Sequence, residues 1–126
     1  MKKITIPLQG LPTLNEYTNA NRGNRYGGAS VKKKATSLCA TYVRKAINEG
    51  FEVGELPADF RFDWFLKNRR KDKDNIAFAK KFIFDGMIDA GLMTNDGWKQ
   101  VGNWTETFEV DKEYERVEIT IMKVGE

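Results

Sequence analysis

Phe60-Arg61-Phe62-Asp63-Trp64-Phe65-Leu66, followed at once by Lys67-Asn68-Arg69-Arg70-Lys71-Asp72-Lys73-Asp74-Asn75, is the stretch on which the reading of this chain turns. In its first half Phe60, Phe62, Trp64 and Leu66 alternate with Arg61, Asp63, Phe65 and Lys67, the period-two pattern of a strand. In its second half the apolar residues stop, and five cations surround two carboxylates. From Asn75 to Ala90 the pattern turns helical, with Ile76, Ala79, Phe82, Ile83 and Met87 available for packing, and Gly91 stops the helix.

Outward from this segment, residues 2–8 alternate and read as a first strand closed by Gly10 and Pro12. Residues 13–30 are rich in Asn, Gly and Arg and read as a long loop, a length that points to a functional segment. Ser30 is placed to cap a helix running to about Glu49 and ended by Gly50. Val31, Ala35, Leu38, Tyr42 and Ala46 supply its apolar face, and Lys32, Lys33, Lys34, Arg44 and Lys45 its solvent side. Beyond Gly91, Asn95-Asp96-Gly97 is a turn signal. Strands are expected over about 98–109 and 115–123, joined by a turn around Asp111-Lys112-Glu113. The expectation is a single α+β domain over residues 1–126, with a small mixed, mostly antiparallel sheet of about four strands packed with two main helices.

Composition narrows the chemistry. The 126 residues are 40% apolar, with eight Phe, three Trp and four Tyr, enough for one compact core. No apolar run reaches the roughly 20 residues that span a bilayer, and the Met-Lys-Lys start does not read as a signal peptide, so a cytoplasmic protein without a membrane role is expected. Cys39 is alone, which leaves no disulfide framework and no thiolate zinc site; it reads as a small buried hydrophobe. Histidine is absent, which removes imidazole acid–base catalysis, Ser-His and Cys-His pairs, and imidazole metal sites. Carboxylates, lysines, tyrosines and a hard cation such as Mg²⁺ remain, with no organic cofactor called for. The net charge of +3 is mild, but the cations gather at 22–34 and 67–73, as in a protein that meets a phosphate backbone.

Asp72 and Asp74 stand two residues apart, so in extended backbone both carboxylates can face one cation. Two such groups repel unless a cation lies between them. The bland alternative is that Asp74 caps the helix, worth ~1 kcal/mol. At about 100° per residue, Lys81 and Asp85 each fall within roughly 20° of Asp74 and form a polar stripe, while Lys80 points away into solvent. Asp96 reaches the pair only if the strand after it lies beside the strand at 60–66.

The stretch Lys71-Asp72-Lys73-Asp74-Asn75, then Lys81-Phe82-Ile83-Phe84-Asp85 through Gly91, then Asn95-Asp96, resembles the RusA family of phage-associated Holliday-junction resolvases. The N-terminal Pro12-Thr13-Leu14-Asn15-Glu16-Tyr17 and Asn21-Arg22-Gly23, and the strand Arg116-Val117-Glu118-Ile119-Thr120-Ile121, are similar to that family too, so the likeness covers nearly the whole chain. Two departures stand out: Lys81 follows Asp74 by seven residues where the family spacing is four, and Asn95 replaces the first Asp of a frequent pair.

The resemblance implies a homodimeric, Mg²⁺-dependent endonuclease, with Mn²⁺ as the alternative ion, that nicks a four-way junction symmetrically in DNA recombination and repair. Asp72, Asp74 and Asp96 would hold the metal, Lys81 would steady the scissile phosphate, and Asp85 would orient Lys81. Asn15, Arg22, Arg25, Lys67, Arg69 and Arg70 would contact the DNA backbone. The alternatives are a nucleic-acid-binding module without catalysis, and a metal nuclease acting on other branched DNA.

Overall fold

The computed structural model describes residues 3–23 and 25–125; Lys2, at the start of the expected first strand, and Asn24 lie outside the described residues. Along the chain run β1 (Lys3–Pro7), α1 (Leu14–Gly23), α2 (Arg25–Asn48), β2 (Ala58–Leu66), α3 (Lys73–Ala77), α4 (Lys80–Asp89), β3 (Val101–Val110) and β4 (Arg116–Lys123). The four strands form one sheet in the order β1-β4-β2-β3, antiparallel except for the parallel pair β2–β3. This is the small α+β fold expected from the pattern.

The alternation in β2 decides which side of the sheet is covered. Phe60, Phe62 and Trp64 are fully buried, together with Ile4 and Ile6 of β1 and Val117 and Ile119 of β4. α2 and α4 lie on that face and contribute Cys39, Val43, Phe82, Ile83 and Met87. The opposite face carries a polar ladder in which Arg116 pairs with both Asp111 and Glu118 at 2.8 Å and stacks 3.9 Å over the Phe65 ring. Those bonds to Arg116 hold the Asp111 and Glu118 carboxyls below the usual carboxylate range. α4 has no capping side chain at its start, where Ala79 stands, a deficit of about 1 kcal/mol against a good cap. Burial of Phe82, Ile83, Phe84 and Met87, worth about 1.5–3 kcal/mol each, outweighs it.

The expected loop at 13–30 is mostly helix. Thr13 and Glu16 form a capping box: the Thr13 N–H and hydroxyl donate to Glu16 Oε1 at 3.1 and 3.0 Å, and the Glu16 N–H donates back to Thr13 Oγ1 at 3.3 Å. That starts α1, and α2 begins before Ser30, which lies inside the helix rather than capping it. Gly28 lies inside α2 rather than in a turn, and a Cβ there would displace the side chain of Asn21 on α1.

The helix expected over 75–90 is two helices, with Phe78 and Ala79 between them. There the Ala79, Lys81 and Phe82 N–H groups donate to carbonyls three residues back, at 3.0–3.1 Å. This is 3₁₀ geometry, which turns about 120° per residue instead of about 100°. β3 begins at Val101, so Trp98 falls in the preceding turn. The short link from β3 to β4 would suit a hairpin, yet β2 lies between those strands, and the Asp111 N–H donates to the Leu66 carbonyl at 2.8 Å as the chain crosses its end.

Candidate active site

α3 opens one residue after Asp72, so Asp72 and not Asp74 occupies the cap position. Its backbone is extended (φ −69°, ψ 148°), and its carbonyl accepts the Ile76 N–H at 3.2 Å. Its side chain makes no capping bond and, among the described residues, no ion pair, which leaves the carboxylate available. Asp74 sits in the first turn, exposed, with Oδ1 accepting the Asn75 N–H at 2.9 Å. Asn75 Oδ1 in turn accepts the Asn15 N–H at 2.9 Å, which fastens the start of α1 beside α3.

Two clefts adjoin at Asp74. One, of about 730 Å³, is lined by Arg69, Lys71, Asp72, Lys73, Asp74 and Phe108 among others. The other, of about 610 Å³, brings Asp74 and Lys73 together with Lys80, Lys81, Phe84, Trp104, Glu106 and Phe108. Asp74, Lys73 and Phe108 therefore join two concave surfaces, one shared with Asp72 and the other with Glu106, each lined by its own cations.

Of the two lysines at the head of α4, Lys80 departs from expectation. Lys80 is not solvated: its side chain is 17% exposed and ion-paired with Glu106, whose other oxygen accepts the Trp64 Nε1–H at 2.9 Å. Lys80 stands one helical turn before Phe84, which packs against Phe60, Phe62 and Trp104, so it shares the sheet-facing side of α4. Lys81 is exposed on the same cleft and makes no ion pair among the described residues. The stripe of Asp74, Lys81 and Asp85 is not continuous. Asp85 is half-buried near Cys39 of α2, where burial first and the Asp85 charge second push the thiol up to about 12.

Asp96 is exposed, with its N–H donating to Asn95 Oδ1 at 2.9 Å. β3 does lie beside β2, the condition for the chain to return to this edge, but Asp96 is not among the residues lining either cleft. Of the expected DNA contacts, Arg69 lines the larger cleft. The Arg70 N–H donates to Asn68 Oδ1 at 3.0 Å. Lys67 turns toward the start of β4, its N–H donating to Glu115 Oε2 at 3.2 Å. Asn15 and Arg22 are exposed on α1, and the Arg25 side chain lies outside the described residues.

Glu106, Trp104 and Phe108 were not singled out by the sequence. Their signal is alternation: with Phe60, Phe62 and Trp64 opposite them in register, all three sit on the helix-covered face, where a Glu among aromatics is out of place unless partnered.

Asp72 and Asp74 suit a hard cation. Both are carboxylates with unused oxygens on one cleft wall, and Mg²⁺ binds through one or two carboxylates, water and substrate phosphate. Among the described residues no group of three or more His, Cys, Asp or Glu forms a ready-made metal cage. No helix is long and apolar enough to cross a membrane among the described residues. The sequence matches no protein-family model, and a search of curated proteins finds no match.

Proposed function

We propose that this protein is a Mg²⁺-dependent, structure-selective endodeoxyribonuclease that resolves four-way DNA junctions by paired nicks, acting as a homodimer. The observation that carries the reading is the convergence of Asp72 and Asp74 with Arg69, Lys73 and Lys81 on adjoining clefts. The resemblance of the Asp72–Asp96 segment to the RusA family supports it, and the absence of histidine leaves carboxylates as the means of phosphodiester hydrolysis.

Asp72 and Asp74 would hold the metal, with Mn²⁺ able to replace Mg²⁺. When bound, the ion supplies charge neutralisation at the phosphate and a water of lowered pKa. Lys81, exposed on the adjoining cleft beside Asp74 and without an ion pair among the described residues, adds positive charge where the phosphate gains negative charge in the transition state. Arg69, Lys71 and Lys73 take neighbouring backbone phosphates, contacts that position DNA without reading its sequence. A two-fold dimer presents two such sites to the two equivalent strands of a junction.

A synthetic four-way junction incubated with Mg²⁺, and in parallel with EDTA, tests the reading. Paired nicks with Mg²⁺, none with EDTA and none from Asp74→Asn are expected. Undiminished cutting by Asp74→Asn would overturn the site. The position of Asp96 off both cleft walls favours a second reading, a DNA-binding module without cleavage, which tight junction binding with no nicks at any Mg²⁺ concentration would establish.

A further inference from the structure

We infer that the cleft beside α4 takes an unpaired nucleotide, its base stacked on Trp104 and its flanking phosphates held by Lys73 and Lys81. This deepens the nuclease reading and rests on it for the identity of DNA as the partner.

Trp104 stands on the helix-covered face of the sheet, yet its side of β3 is an edge and the residue remains 49% exposed. Phe84 supports the ring from α4, with centroids 6.2 Å apart and planes tilted by 53°. Phe108, four residues on along the same face, lies nearly parallel to the Trp64 ring at 6.4 Å. A cation accompanies each ring: Lys80 Nζ is 5.8 Å from the Trp104 centroid and Lys73 Nζ 5.5 Å from that of Phe108. Glu106, between the two aromatics, neutralises Lys80 and fixes it in place. Lys73 and Lys81 form no ion pair among the described residues and keep their charge for a ligand.

Aromatic faces with free cations at their margin match a ligand that carries a flat ring and a negative charge in one repeating unit. Single-stranded nucleic acid is that ligand, since its bases stack on side chains while its phosphates meet lysines. Paired bases within a duplex hide their faces in the stack. The cleft therefore discriminates against continuous duplex and in favour of a branch point, where a base can leave its neighbours.

The test is fluorescence anisotropy of labelled oligothymidylate with the full-length protein in EDTA, which separates binding from cleavage. An abasic oligomer of equal length and charge and a blunt duplex serve as comparisons. Oligothymidylate is expected to bind more tightly than the abasic oligomer. Trp104→Leu should weaken it about tenfold or more while leaving abasic binding unchanged, and Trp104→Phe should restore part of the loss. Trp98→Ala, at a residue 97% exposed and off the cleft, should change nothing. Half exposure of Trp104 lets these variants fold, and circular dichroism verifies it. Equal affinity for thymidylate and abasic oligomers, or a folded Trp104→Leu variant that binds thymidylate like wild type, would overturn the inference. A wild type that binds through Trp104 but never nicks a junction overturns the nuclease reading alone.

Discussion

Lys80 and Glu106 form an ion pair that joins the head of α4 to the edge strand β3, with side chains only 17% and 18% exposed. Glu106 also accepts the Trp64 Nε1–H, so one carboxylate links helix, edge strand and the buried centre of β2. Removing either partner leaves a charge without its mate in a poorly hydrated place. Lys80→Met and Glu106→Gln should each cost about 1–3 kcal/mol in urea unfolding. The double variant should lose less than the sum, because neither charge is then stranded. Strict additivity would show that the pair is no unit.

Because Glu106 holds Lys80, the lysine at the head of α4 without an ion pair among the described residues is Lys81. Lys81→Ala should slow junction nicking by about 10²–10³, a far larger factor than its loss of junction affinity in EDTA, the pattern of a group used chiefly in the transition state. A folded Lys80→Ala variant with the larger kinetic defect would transfer that role to Lys80.

The parts of this arrangement that could be read from sequence are those with a local cause. Phe60, Phe62 and Trp64 alternate with polar residues because one face of β2 is buried, and Asp72 and Asp74 were visible as carboxylates among cations. α1 was legible too, since Thr13 and Glu16 have the spacing of a capping box, but the Asn and Gly content of 13–30 outweighed that signal. The phase of α4 was not legible. A uniform count of 100° per residue cannot foresee the tightening at Phe78–Ala79, which accompanies a tertiary cluster: Phe78, Phe82 and Tyr17 of α1 lie with ring centroids 5.5–5.7 Å apart. Glu106 becomes meaningful only once the parallel register of β3 on β2 is known, and that pairing spans more than forty residues of chain.

The contact between α2 and α4 depends on Gly86. A Cβ there would lie 2.5 Å from Cys39 Cβ and 2.8 Å from the Ala40 backbone nitrogen, and the backbone cannot yield as a flexible side chain would. Gly86→Ala gains about 1 kcal/mol in helix propensity but incurs an overpacking cost of about 1–3 kcal/mol. With backbone as the obstacle the cost prevails, and the melting temperature should fall. A variant that melts at or above wild type would refute the close packing.

Cys39 lies in that same contact, fully buried, and its thiol is pushed up from an ordinary 9.0 to about 12, by burial first and by the charge of Asp85 second. A raised thiol pKa means that the folded state holds its proton when the unfolded chain has released it. Stability from this group is therefore intact below pH 9.0 and is lost as pH rises toward about 12. The slope is about 1.4 kcal/mol per pH unit inside that window. Tyrosines and lysines titrate there too, so the informative quantity is the difference between wild type and Cys39→Ala, in which only the thiol is removed. Urea unfolding at successive alkaline pH values should show the wild type losing stability more steeply than the variant above pH 9.0, with the two curves parallel below it. Parallel curves across the whole range would mean that the thiol ionises as readily in the fold as outside it, which a side chain sealed between Gly86 and the sheet would not permit.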